Sequence, residues 1–171
     1  MTGAHWDKAA ISVQTEDFDP GAELSRLGQA GDCGAVASFI GQVRGDATAA
    51  TAGVVALELE HYPGMTERSI AEIIQQAQQH WSLQAARVIH RIGRLHVGDR
   101  IVFVGVSSRH RADAFAACEF IMDYLKTRAP FWKKQWDTRG VAQWVDARES
   151  DRTAAARWQH EYAAKDFVEF P

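Results

Sequence analysis

The sequence predicts an α+β fold, and three observations carry that prediction. Segments of period-two alternation are interspersed with segments of helical period, short glycine-containing turns join apparent antiparallel strands, and hairpins predominate over regular βαβ units. Residues 11–16 (ISVQTE) alternate like a short strand, and residues 19–30 follow with Asp19 and Pro20 in the cap and first-turn arrangement that opens a helix. GAVASFIGQVRG (34–45) is β-branched and aromatic enough for a strand, and the small residues of 45–53 that come after it predict a mobile loop. VVALELEHY (54–62) places Leu57, Leu59 and His61 on one face and Glu58, Glu60 and Tyr62 on the other, the pattern of a half-buried strand. After the Pro63-Gly64 turn, Ile70, Ile73, Ile74 and Ala77 recur at helical spacing, with Thr66 as the expected N-cap and Glu67 in the first turn.

The segments 85–95 and 100–109 flank HVGD and predict a pair of neighbouring antiparallel strands. From Ser108 the period becomes helical, with Phe115, Cys118, Met122 and Leu125 expected as the buried stripe. That helix must stop before Pro130, because the residue preceding a proline disfavours helical backbone, so Lys126 falls in its last turn. FWKKQW and VAQWV, separated by DTRG, predict a final hairpin, and the composition beyond residue 149 is helical.

One domain accommodates the 171 residues, and a formal net charge of −3 argues against a general polyanion binder. No apolar run approaches the roughly 20 residues that span a bilayer and no leader pattern opens the chain, so the expectation is a cytoplasmic protein without membrane association. Cys33 and Cys118 are isolated and read as packing residues, and His61, His90 and His96 lack the spacing of a metal site. Glu58 and Glu60 could be an acid pair, but period-two acids on an outward face are what any half-exposed strand shows.

The chemistry concentrates in three places. Arg109, His110 and Arg111 sit at a helix start, where cations are unfavourable unless an anion lies among them; solvated side chains explain them equally well. Arg44 stands where a strand gives way to the loop, a position suited to clamping an oxyanion. YLKTRAPFWKKQW (124–136) sets Lys126, Lys133 and Lys134 among aromatics, so that Phe131, Trp132 and Trp136 could wall a pocket in which Lys126 and Lys133 lower one another's proton affinity.

LEHYPGMTE, VIHRIGRL, GDRIVFVGVSSRHRADAF and FIMDYLKTRAPFWKK together resemble the catalytic large subunit of molybdopterin synthase, over about Gly34 to Trp158. The resemblance implies an α/β hammerhead-type fold with a mixed, largely antiparallel sheet and flanking helices. It implies a single domain over residues 1–158 with a tail at 159–171, and a homodimer of large subunits within a heterotetramer. The partner it implies is a small ubiquitin-like sulfur carrier with a thiocarboxylated Gly-Gly tail, and the substrate is cyclic pyranopterin monophosphate. By the same resemblance Lys126 and Lys133 are the active-site lysines, and substrate binding falls to Gln42, Val43, Arg44, His110, Arg111, Lys126, Lys133, Lys134 and Gln135. Gln135 stands where that family often carries glutamate. No cofactor, metal or nucleic acid is implied. Two readings from other classes share the same residues: a non-catalytic module that grips a ubiquitin-like tail, and a single-stranded RNA binder that stacks bases on Phe131 and Trp132.

Overall fold

A computed structural model describes residues 10–29, 32–45, 53–145 and 149–162. The chain order is β1 (Ile11–Gln14), α1 (Pro20–Leu27), β2 (Ala35–Gln42), β3 (Val54–His61), α2 (Met65–His80), β4 (Leu83–Arg91), β5 (Gly93–His96), β6 (Arg100–Ser108), α3 (Arg111–Arg128), β7 (Phe131–Asp137), β8 (Ala142–Val145) and α4 (Glu149–Tyr162). The α+β class is as expected. The loop expected at 45–53 lies almost wholly outside the described residues.

The strands form two four-stranded sheets, ordered β1-β4-β6-β2 and β5-β3-β7-β8, in place of one. Only the β1–β4 pair is parallel among the described residues. The expected continuous strand over 85–95 is cut at Gly93, whose φ of 81° is a left-handed conformation that glycine alone adopts freely. β4 therefore pairs with β6, whereas β5 crosses to the second sheet and pairs with β3. HVGD does make a tight turn, in which the His96 N–H donates to Asp99 Oδ2 (2.8 Å) and the Asp99 N–H donates to the His96 carbonyl (2.9 Å).

Alternation along β6 explains how the first sheet is covered. Val102, Val104 and Val106 join Ile70, Ile73, Ile74, Phe120 and Ile121 in the main core beneath α2 and α3. Phe103 points to the other face and packs with Phe18, Leu27 and Ile89 under α1. Gly105 lies on that second face, where a Cβ would run into Leu27 and the Phe103 ring. A smaller cluster of Val43, Leu57, Leu59 and Leu95 fills the second sheet.

Helix starts and stops follow local chemistry, with corrections to the sequence reading. Asp19 caps α1, accepting from the Gly21 N–H at 2.8 Å, with Pro20 first in the helix. Gly64, not Thr66, is the N-cap of α2, and its N–H donates to Glu67 Oε2 at 2.7 Å. Thr66 is buried inside the first turn, where its hydroxyl accepts from the Tyr62 N–H (3.1 Å) and donates to the Pro130 carbonyl (3.1 Å). Phe115 is 67% exposed, and the buried stripe of α3 runs instead through Ala114, Ala117, Cys118, Ile121, Tyr124 and Leu125. Small alanines let α3 lie close on β2 and β6, which displaces the large ring one position around the helix.

His90 belongs to the wall between β4 and β7. Its ring stacks on Phe131 at 3.8 Å, with Nδ1 2.9 Å from the Arg91 carbonyl. Burial lowers its pKa to about 4, and the charge of His61 adds to the effect. The unfolded chain therefore binds the extra proton between about pH 6.5 and pH 4. Stability should be complete above pH 6.5 and fall by up to about 3 kcal/mol as the pH drops through 4. Denaturant midpoints measured across that interval should flatten in His90→Phe, which keeps the stacking ring without the titration.

Candidate active site

Lys126 stands in the last turn of α3, which ends at Arg128 because Ala129, just ahead of Pro130, has extended backbone (φ −76°, ψ 125°). A cation there is favourable, since free carbonyls concentrate negative potential at a helix C-terminus. The side chain is half exposed, and its Nζ lies 3.5 Å from Asp151 Oδ1 on α4. The chain then turns at Pro130, held by Thr66, and enters β7 with Phe131 anchored on His90.

Register and alternation sort the β7 residues. Lys133 lies opposite Leu59 and Val145, and Gln135 opposite Leu57 and Gln143, on the face they share with Phe131. Lys134 lies on the reverse face opposite Glu58 and Trp144. Its Nζ reaches Glu60 at 3.1 Å and sits 4.3 Å from the centre of the Trp144 ring. Trp136, on that same reverse face, donates its indole N–H to Glu58 at 3.0 Å and carries the Arg94 guanidinium over its ring at 4.4 Å. The aromatic wall expected around Lys126 and Lys133 is thus not formed. Pleating turns Trp132 and Trp136 away from Lys133, and Phe131 is spent on His90. Glu58 and Glu60 act as the structural partners of Trp136 and Lys134, as period-two acids on a strand suggested.

Gln42, Val43 and Arg44 mark the end of β2. Val43 is buried in the cluster of the second sheet, and its backbone both donates to the Asp99 carbonyl and accepts from the Gly98 N–H, each at 2.9 Å. Any contact it makes with substrate would be through backbone, not through its isopropyl group. Gln42 and Arg44 are exposed, with Gln42 Nε2 3.5 Å from the Gly98 carbonyl.

His110 and Arg111 occupy the opposite end of the same strand pair. His110 is the N-cap of α3 in extended conformation, its N–H 3.3 Å from Ser108 Oγ, and Arg111 is the first helical residue; both are exposed. Arg109 pairs with Asp32 at 3.5 Å. In the β2–β6 register Ala35 meets Ser108 and Gln42 meets Arg100, so the strand between them spans roughly 23 Å at ~3.3 Å per residue. α3 runs back over the same distance, its 18 residues covering about 27 Å. Arg44 and Lys126 consequently share one end of the molecule, while His110 and Arg111 lie at the other. The expected anion site of Arg44, His110 and Arg111 does not assemble within one chain.

Burial pushes the Cys118 thiol up to about 12, which removes it as a nucleophile and bears out its reading as a packing residue. Among the described residues no three His, Cys, Asp or Glu side chains come together as metal ligands, and no helix is long and apolar enough to cross a membrane. Sequence reasoning missed Asp151 and Thr66 as neighbours of the site. Neither contact has a local signal, because Asp151 meets Lys126 and Thr66 meets Pro130 across more than 20 positions.

The α+β scaffold presents lysine, arginine and amide side chains at one end and further cations at the other, an arrangement suited to the acid–base chemistry of a group-transfer enzyme. The chain belongs to the MoaE protein family, whose profile matches residues 13–128. It is 57% identical over 153 residues to the molybdopterin synthase catalytic subunit of Vibrio cholerae, covering 87% of this chain and 97% of that protein. Among solved structures it is similar to the molybdopterin biosynthesis MoaE protein of Burkholderia ambifaria (48% identity, TM-score 0.73, 88% of this chain and 97% of that one). It is also similar to the molybdopterin synthase of Staphylococcus aureus (30% identity, TM-score 0.72, 83% and 99%).

Proposed function

We propose that this chain is the catalytic subunit of a molybdopterin synthase, taking sulfur from the thiocarboxylated C-terminus of a small carrier subunit and giving it to cyclic pyranopterin monophosphate. The observation that carries the reading is the placement of Lys126. The helix end holding it, the end of β2 with Gln42 and Arg44, and the start of β7 with Lys133 all lie on one side of the molecule. Lys126 supplies acid–base or nucleophilic help as the acyl–sulfur bond breaks, and Lys133 lies within the same segment to contact substrate. Gln135 shares the Lys133 face and is the second β7 residue available to the pterin, whereas Lys134 contributes from the reverse face.

The phosphate is held across two copies of the chain. Arg44 of one protomer cannot meet its own His110 and Arg111, so a homodimer that sets the α3 start of one copy against the Arg44 end of the other completes the anion site. No resident cofactor is required. A cytoplasmic location, and a division into a synthase domain at 1–158 and a tail at 159–171, belong to the same proposal. The test is reconstitution with a thiocarboxylated carrier and the cyclic pterin. Dithiolene product is expected; tight carrier binding without product would identify a binding module instead.

A further inference from the structure

We infer that Asp151 is a positioning residue for Lys126, fixing the amine where the carrier's acyl group arrives; the inference rests on the role proposed above for Lys126. A lysine amine on a four-carbon stem samples many rotamers, and Lys126 is half exposed at a helix end. The partner facing it is Asp151, whose Oδ1 lies 3.5 Å from Nζ, with the carboxylate itself only 21% exposed. The neighbouring acid Glu149 is turned elsewhere, toward Arg152 on its own helix.

What makes Asp151 a fixed point is the docking of α4. Two turns further along, Trp158 is buried against Trp81 and Phe120, and its indole N–H donates to Asp123 Oδ2 at 2.8 Å. Arg157 pairs with Asp123 and Glu119. α4 therefore runs antiparallel to α3, with residues 157 and 158 against 119 and 123, and 151 against 126. The anchoring end does not involve Lys126, so the carboxylate is held in place whether or not the amine meets it. An ion pair exposed to this degree contributes little to folding. Its consequence is orientation, and a reacting group displaced by about an ångström can lose up to ~100-fold in rate.

Steady-state kinetics of the reconstituted synthase test this. Asp151→Asn and Asp151→Ala should lower kcat roughly tenfold or more. The KM values for carrier and pterin should not rise, the melting temperature should stay unchanged, and Asp151→Glu should recover most of the rate. Glu149→Gln, two residues from Asp151 and paired with Arg152 instead, should behave as wild type. Unchanged kcat in Asp151→Asn alongside an inactive Lys126→Ala would overturn the positioning role alone. A lowered melting temperature with no recovery in Asp151→Glu would also overturn it, by showing a structural role. Normal turnover in Lys126→Ala would instead bring down the reading on which it rests.

Discussion

Lys126→Ala is expected to reduce dithiolene formation by ~10²–10⁴-fold, the range lost when a positioned proton-transfer or nucleophilic group is removed. Folding should survive, because the side chain is half exposed and its pairing with Asp151 is a surface ion pair of about 0–1 kcal/mol. Turnover and the thermal midpoint measured on the same preparation separate the two effects, and near-normal turnover would remove Lys126 from the mechanism. A second readout does not depend on the pterin. A carrier activated at its C-terminus should acylate Lys126 to a stable amide, and Lys126→Arg should block this because guanidinium stays protonated. Adducts spread over lysines elsewhere in the sequence, such as Lys8 and Lys165, would show that the tail is not guided to the site.

Arg44→Ala and Arg111→Ala should each weaken substrate binding by about 1.5–3 kcal/mol, the worth of a hydrogen bond to a charged group. Their combination is more informative than either alone. If each anion site takes Arg44 from one copy and Arg111 from the other, a mixed dimer of the two variants contains one site with both arginines and one with neither. Co-expression with random pairing should then restore about a quarter of the wild-type sites, since half of the dimers are mixed and half of their sites are intact. A site built within one chain would show no such recovery. Activity of the mixture at only the average of the two variants would rule out the shared arrangement.

The parts of the fold visible in the sequence are those set by neighbours along the chain. Pro130 dictates where α3 ends and hence that Lys126 lies in its last turn, and Ile70, Ile73, Ile74 and Ala77 mark the buried face of α2 without outside help. What escaped depends on distant partners. Nothing local says that Gly93 sends β5 to a different sheet from β4, because its left-handed backbone is compatible with an ordinary hairpin turn. Phe115 looked buried because it is aromatic and correctly spaced, yet the close approach of α3 to the sheet favours Ala114. The lysine-rich segment showed its residue types but not their partition, since the pleat of β7 puts Lys133 and Lys134 on opposite faces. The resemblance named the cations of the site without showing that His110 and Arg111 lie a full strand length from Arg44.

The Thr66 hydroxyl ties the first turn of α2 to the joint between α3 and β7, and this bears on which amino acids position 66 can tolerate. Valine matches threonine in shape but would remove the partner of both the Tyr62 N–H and the Pro130 carbonyl, two hydrogen bonds of ~1 kcal/mol each. Serine would keep both bonds and leave a methyl-sized void in a fully buried place. The substitution spectrum there is accordingly close to a single residue, although the hydroxyl bonds to the Tyr62 and Pro130 backbone and not to a lysine. A position with no chemistry of its own is thereby narrowly constrained, because its one hydroxyl joins the start of one helix to the turn that follows another.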